Sequence, residues 1–158
     1  MRILLDGCDG TGKTTIAEKL ANEWGCNVIR LTYGGDRSLK AYFQMMSVDN
    51  VVHDRSFISE IIYPKYFGRM CRLEPNTEGY LHHLIENLSI KPFILTASPE
   101  TIQKRIGKRG DEYIKDINKF VKINRDYIQY ADEHNIPIID TTGYTPEEVV
   151  KKIGGYLI

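Results

Sequence analysis

The sequence predicts a three-layered α/β fold, and three observations predict it. Short apolar runs alternate along the chain with segments whose apolar residues recur at helical spacing. The runs are apolar throughout rather than alternating, as strands of a parallel sheet covered on both faces are. The 158 residues, 42% hydrophobic and 27% charged, match one globular domain, residues 1–158, with no linker or repeat.

The elements follow in order. Ile3-Leu4-Leu5 reads as a first strand that runs into a glycine-rich turn, and Ile16, Ala17, Leu20, Ala21 and Trp24 form one helical stripe that Gly25 terminates. Val28-Ile29-Arg30-Leu31 is a second strand and Leu39 to Met46 a short helix. Asn50 to Asp54 is a third strand ending in a carboxylate, and Phe57 to Phe67 is helical until Pro64 bends or ends it. Tyr80, Leu81, Leu84, Ile85 and Leu88 share one side of a helix over 76–88. Pro92 to Thr96 is a fourth strand, and Ser98-Pro99-Glu100 opens a helix with a cap and a first-turn proline. A long stripe runs from Tyr113 through Ile117, Phe120, Val121, Tyr127 and Ile128 to Ala131, Ile136 to Asp140 is a fifth strand, and Thr145-Pro146-Glu147-Glu148 starts the last helix.

Composition narrows the function. Lysine plus arginine equals aspartate plus glutamate, 21 against 21, so the molecule lacks the basic excess of a protein that coats nucleic acid. Anion binding must therefore be local, and between Lys104 and Arg125 eight basic residues do face only three acidic ones. The three cysteines have no paired or Cys/His spacing, which argues against disulfides and zinc and for a reducing compartment. The start, with three apolar residues before Asp6, carries neither a signal peptide nor a membrane span. The expectation is a cytoplasmic protein without a membrane partner.

Gly7-Cys8-Asp9-Gly10-Thr11-Gly12-Lys13-Thr14 matches G-x-x-x-x-G-K-[ST] between a strand and a helix. Glycines allow several backbone N–H groups to converge on phosphate oxygens, and the helix N-terminus adds partial positive charge. Lys13, expected exposed at the sheet edge, can reach the outer phosphates, and the Thr14 hydroxyl can ligate Mg²⁺. The segment Gly7 to Thr15 is therefore the candidate ATP site. Downstream, an apolar strand delivers Asp54 and Arg55 to the carboxyl edge of the sheet, where open α/β sheets bind ligands. Asp54 can hold Mg²⁺ and Arg55 can clamp phosphate; the alternative is an Asp-Arg-Ser helix cap.

These residues resemble a family. The loop with its Asp9-Gly10 pair looks like that of thymidylate kinases. Asp54-Arg55-Ser56 resembles their Asp-Arg-aromatic motif and the Glu-Arg-Ser of deoxynucleoside kinases, and Arg105 to Tyr113 is similar to the arginine-bearing lid of these enzymes. The resemblance implies a three-layer P-loop NTPase fold with a five-stranded parallel sheet, ATP, Mg²⁺, and a short helical lid at about 104–113. In that lid Arg105, Lys108 or Arg109 would stabilise charge on the transferring phosphoryl group.

Two departures bear on the acceptor. The family's Arg-Glu-Pro-Gly segment is replaced by Thr32-Tyr33-Gly34-Gly35-Asp36-Arg37. Asp36 and Arg37 are either a carboxylate near the acceptor hydroxyl and a phosphate contact, or a cap and a surface charge. The chain is also shorter than is usual in that family, which implies an open acceptor side. Among seven aromatics there, Phe43 and Phe57 are expected to stack on a base, whereas His53 is expected in the core. The reading is an ATP-dependent kinase of a pyrimidine deoxynucleotide-type acceptor, with Lys13, Asp54, Arg55, Arg105 and Arg109 as catalytic residues. Alternatives are a kinase of hydroxymethyluracil bases in viral DNA, a deoxynucleoside kinase, and a nucleotide-binding switch with slow ATP hydrolysis. A homodimer is compatible with each.

Overall fold

The computed structural model describes residues 1–32, 34–108 and 116–157. Five strands, β1 (Arg2–Gly7), β2 (Asn27–Arg30), β3 (Val51–Asp54), β4 (Lys91–Thr96) and β5 (Ile138–Asp140), form one parallel sheet in the order β2-β3-β1-β4-β5. The α/β class and the five-stranded parallel sheet are thus as the sequence predicts. Its central strands β1, β3 and β4 are almost wholly buried, which is why they read as unbroken apolar runs.

Seven α-helices lie among the described residues: α1 (Lys13–Trp24), α2 (Leu39–Met46), α3 (Phe57–Ile62), α4 (Thr77–Asn87), α5 (Pro99–Gly107), α6 (Ile117–Glu133) and α7 (Pro146–Gly154). One face of the sheet packs Ile3, Leu5, Val52 and Phe93 against Ile16 and Leu20 of α1 and Val149, Val150 and Ile153 of α7. The other packs Leu4 and Ile94 against α2 to α6, with Tyr42, Phe57, Leu81, Ile102, Ile123 and Tyr127 in its core. Strand alternation sends neighbouring residues to opposite cores.

Local chemistry sets the helix ends. Gly25 takes a left-handed conformation after α1 and donates back to Ala21, and Ser38, Ser56, Ser98 and Thr145 cap α2, α3, α5 and α7 with their hydroxyls. Pro64 ends α3 at Ile62 and converts the next residues, Tyr63–Tyr66, to a 3₁₀ turn. The proline thus ends the helix, as the sequence suggests. No helix among the described residues is long and apolar enough to cross a membrane. His53 is fully buried, as expected, but neither ring nitrogen has a hydrogen-bond partner among the described residues. Burial pushes its pKa down to about 4, so the ring stays neutral.

Candidate active site

The site lies where β1 and β3 end. Gly7 leaves β1 at φ +142°, and a Cβ there would stand 2.2 Å from the Leu95 carbonyl oxygen of β4, so only glycine lets the two strands pair at this point. Gly10 and Gly12 also have positive φ, 83° and 93°. A Cβ on Gly10 would meet the Ile106 side chain at 3.0 Å and the Ile102 carbonyl oxygen at 3.2 Å, whereas one on Gly12 would approach nothing nearer than Arg105 at 3.9 Å. Lys13 begins α1, and its ammonium donates to the Cys8 carbonyl at 2.7 Å, with the Asp9 carboxylate 3.9 Å away. Lys13 is buried, 5% exposed, and not at an open edge as the sequence suggests. Burial and the neighbouring Arg55 lower its pKa, against the pull of Asp9. The Cys8 thiol is pushed up to about 12 by burial, which makes it a packed neutral group rather than a nucleophile.

Asp6, unremarked in the sequence, is the hub beneath this loop. One carboxylate oxygen accepts from the Gly7 N–H (2.9 Å), the Ser59 hydroxyl (2.7 Å) and the Tyr127 hydroxyl (2.8 Å). The other accepts from the Ser56 N–H (2.8 Å), the Ser56 hydroxyl (2.6 Å) and the Ser59 N–H (3.3 Å). The end of β1, the start of α3 and the middle of α6 thereby meet on one fully buried anion, whose cost of burial the six donors offset.

Asp54 and Arg55 arrive at the same edge from β3. The Thr14 hydroxyl donates to Asp54 Oδ2 at 2.7 Å, and Arg30 Nε lies 3.4 Å from the same oxygen. Asp54 Oδ1 is buried with no hydrogen-bond partner among the described residues. Arg55 holds a left-handed backbone, φ +78°, a conformation that costs a non-glycine residue energy and recurs at functional sites. Its guanidinium pairs with Asp9, sits 5.0 Å over the Tyr63 ring and reaches the Ser59 hydroxyl at 3.4 Å. The Asp9 N–H in turn donates to the Tyr63 oxygen at 2.9 Å. Burial would raise the Asp9 pKa, but Lys13 and Arg55 outweigh it and hold the carboxyl below its ordinary range.

Two cavities flank the loop. The first, of about 230 Å³, is lined by Arg37, Arg55, Arg69 and Arg72 together with Glu60 and Tyr63. Glu60, 3% exposed, binds Arg37 Nε at 3.2 Å and Arg72 Nη2 at 2.9 Å, and accepts from the Arg72 N–H at 3.2 Å. These contacts overcome burial and lower its pKa. The second cavity, of about 310 Å³, lies between the loop, α5 and the start of α7, against Thr11, Gly12, Thr15, Arg105, Thr141 and Tyr144.

The structure brings together Lys13, Thr14, Asp54 and Arg55, and it places Arg37 beside Arg55 in the first cavity. The structure bears on four further expectations. Phe57 is fully buried in the core, edge-on to Tyr42 at 6.3 Å, because its position on α3 faces the sheet; it cannot touch a base. Phe43 is half exposed but lines a separate groove with Tyr80, His83 and Leu84. Asp36 is a turn residue whose carboxylate accepts from the Ser38 N–H at 2.8 Å and the Ser38 hydroxyl at 3.0 Å, which is the capping alternative. Arg105 donates to the Gly10 carbonyl (3.2 Å), the Thr141 hydroxyl (2.8 Å) and the Thr141 carbonyl (2.9 Å); these bonds hold it at the second cavity, against the loop. Arg109 and the remainder of the expected lid beyond Lys108 lie outside the described residues. Glu60, Arg69 and Arg72 were not legible as site residues: Glu60 sits on a helix face with no motif, and the arginines follow it in an irregular segment.

A family model described as ATPase family associated with various cellular activities (AAA) matches residues 3–62. The SPbeta prophage-derived uncharacterized protein YorR of Bacillus subtilis is 32% identical over 161 residues, spanning 96% of this chain and 95% of that protein. A putative adenylate kinase of Pyrococcus furiosus is 34% identical over 158 residues, spanning 97% of this chain and 82% of that one. The YorR structure, in complex with phosphorylated GDP, superposes with a TM-score of 0.79 at 26% identity over 99% of this chain and 95% of the other. A deoxyadenosine kinase from M. mycoides with bound dCTP shares the fold at a TM-score of 0.68 and 19% identity, over 99% of this chain and 98% of the other. With its loop, its sheet order and these relatives, the chain belongs to the P-loop nucleotide and nucleoside kinases and is a phosphotransferase.

Proposed function

We propose that this kinase transfers the γ-phosphoryl group of ATP to a nucleoside monophosphate, a pyrimidine deoxynucleotide, whose own phosphate sits in the arginine-lined cavity. The charge of that cavity carries the reading. Four arginines line it, with Glu60 among them and the Asp9 carboxylate beside Arg55. A phosphate monoester, which carries about −1.5 to −2 at neutral pH, suits a lining so rich in guanidinium donors better than an uncharged sugar does. The two carboxylates hold the guanidinium groups of Arg37, Arg55 and Arg72 in place before an anion arrives, so little reorganisation accompanies binding. The likeness of the Asp9-Gly10 pair to thymidylate kinases favours a pyrimidine over a purine.

The ATP phosphates fall on the loop N–H groups and Lys13, and the base on the cavity beside Arg105 and Thr141. The orphaned Asp54 Oδ1 and the adjacent Thr14 hydroxyl fit a divalent cation, and they would hold Mg²⁺ where it could neutralise charge developing on the transferred phosphoryl group. Arg55 touches the loop through Asp9 and lines the acceptor cavity, so it lies between donor and acceptor. In Arg55→Lys a point ammonium replaces a planar fork; we expect kcat to fall about 100-fold or more with an unchanged unfolding transition.

Steady-state assays with Mg-ATP against thymidylate, other deoxypyrimidine and purine monophosphates, thymidine, deoxyadenosine, and DNA carrying hydroxymethylated bases test the assignment. The expected result is a kcat/KM for thymidylate at least about 100-fold above that for thymidine, since the nucleoside lacks the phosphate that the guanidinium groups would bind. Better use of nucleosides overturns the monophosphate assignment, preference for purine monophosphates overturns the base, and labelling of DNA alone would make the acceptor polymeric.

A further inference from the structure

Arg30 lines neither of the two cavities that flank the loop, yet its guanidinium reaches the carboxylate beside Thr14. The register of the sheet puts it there. In the parallel pairing of β2 with β3, Arg30 is the partner of Asp54. Two residues before them, Val28 and Val52 pack in the core that α1 covers, so strand alternation turns both Arg30 and Asp54 toward α1 as well. Thr14 and Glu18 stand one turn apart on that helix. Three contacts follow: Thr14 to Asp54, Arg30 to Asp54, and Arg30 to Glu18. Because β2 is an outer strand, the Arg30 side chain is 48% exposed, whereas that of Asp54 is 5% exposed.

The two oxygens of Asp54 are unequal. Oδ2 accepts from the Thr14 hydroxyl at 2.7 Å and has Arg30 Nε at 3.4 Å, whereas Oδ1 is buried with no hydrogen-bond partner among the described residues. A buried carboxylate is costly unless a cation stands near it, and Arg30 is such a cation. Its approach is longer than a charge-assisted hydrogen bond, and its Nη2 is paired with Glu18 at the surface. The guanidinium therefore offsets the charge of Asp54 without taking Oδ1. That arrangement leaves the oxygen for a divalent ion and at the same time opposes the ion, because like charges repel. By Coulomb's law a unit charge about 6 Å from a dication weakens its binding about tenfold even at the dielectric constant of water. A triphosphate on the loop changes this balance, since its negative charges attract the guanidinium while the ion repels it.

We propose that Arg30 makes cation binding at Asp54 depend on the nucleotide: it offsets the carboxylate in the free enzyme, weakens the binding of free Mg²⁺, and no longer does so once ATP is on the loop. The inference rests on the placement of the cation at Thr14 and Asp54. Arg30 acts through the charge of Asp54, so it is a positioning residue and not a catalytic one. Glu18 gives the guanidinium a second carboxylate to hold when an ion takes Asp54. Nucleotide and cation are thereby coupled, each raising the affinity for the other.

The test reads Mn²⁺, which like Mg²⁺ takes carboxylate and water ligands, through the electron paramagnetic resonance signal of the free ion. The full chain is titrated with and without a non-hydrolysable ATP analogue, and thermal unfolding reports the fold of each variant. Asp54→Asn identifies the site and should abolish the nucleotide-free binding. Arg30→Gln, and Arg30→Met as a second neutral variant with an unbranched stem, should tighten nucleotide-free binding about tenfold. With the analogue present both should bind Mn²⁺ as the parent does, so the coupling falls by the same factor. Arg30→Lys keeps the charge and should resemble the parent in both states. A role in shape alone predicts the opposite, a loss of binding in the neutral variants with or without the analogue. Nucleotide-free binding that is undetectable, unchanged or weaker in the neutral variants overturns the role of Arg30 and leaves the cation placement standing. Tightening that Arg30→Lys shares, or that persists equally with the analogue, does the same. Nucleotide-free binding that Asp54→Asn leaves intact overturns the placement itself, and the inference with it.

Discussion

A Lys13→Met protein is expected to fold and to lose about 10³ in kcat. The stem of Lys13 is packed, and methionine is an unbranched apolar side chain that fills a similar path. The ammonium it removes is a buried charge whose pKa is lowered by burial and by Arg55, so its loss relieves desolvation. Asp9, the carboxylate 3.9 Å from it, keeps its pairing with Arg55. The Cys8 carbonyl loses the ammonium but keeps the Thr11 hydroxyl at 2.8 Å, so relieved desolvation and the lost hydrogen bond oppose each other and the unfolding free energy should change by no more than about 1–2 kcal/mol. Phosphoryl transfer instead loses a fixed cation where charge develops, a loss worth about two to three orders of magnitude for one such group and more for an arginine finger. Single-turnover rates beside urea denaturation separate the two effects; near-normal transfer by the folded variant would remove Lys13 from the phosphoryl site.

Asp6→Asn is expected to act the other way, on stability before chemistry. The amide puts a donor where one carboxylate oxygen accepts three hydrogens, and three of the six donors to Asp6, the Gly7 N–H on one oxygen and the Ser56 and Ser59 N–H groups on the other, belong to the backbone, so on either side the amide meets a donor that cannot rotate away. Losing charge-assisted bonds and stranding buried donors costs about 3–5 kcal/mol in sum, a large part of the 5–15 kcal/mol typical of a domain. Equilibrium urea denaturation at pH 7 should show a lower midpoint at unchanged m. An unchanged midpoint would mean that the hub is not what holds β1, α3 and α6 together.

The contrast between these residues shows what the sequence makes legible. The loop and the alternation of strand and helix depend on neighbours within a dozen positions, so periodicity and a spacing rule find them. Asp6 meets Tyr127 across 121 positions, and Glu60 gathers Arg37 from upstream and Arg72 from downstream; no local pattern marks those meetings. The same limit misplaced Phe57, whose helical stripe is visible although the surface it faces is not, and hid the bond that Arg105, in its basic run, makes to Thr141 on a distant loop. Lys13 was expected open because lysine prefers water; the carbonyl of Cys8 supplies what water would.

The three glycines of the loop differ in what forbids a side chain. At Gly7 the obstacle is the backbone of β4, 2.2 Å from any Cβ, so this position is a seam of the sheet, closed to every other residue whatever the ligand. At Gly10 a flexible isoleucine and a carbonyl of α5 stand in the way, and at Gly12 there is open space and only the left-handed backbone resists. A substitution at Gly12, asparagine above all, is a question of conformational preference, whereas one at Gly7 is a question of whether two strands can remain neighbours. One consensus letter thus stands for a rivet, a hinge clearance and a bend, and only the last is free to drift.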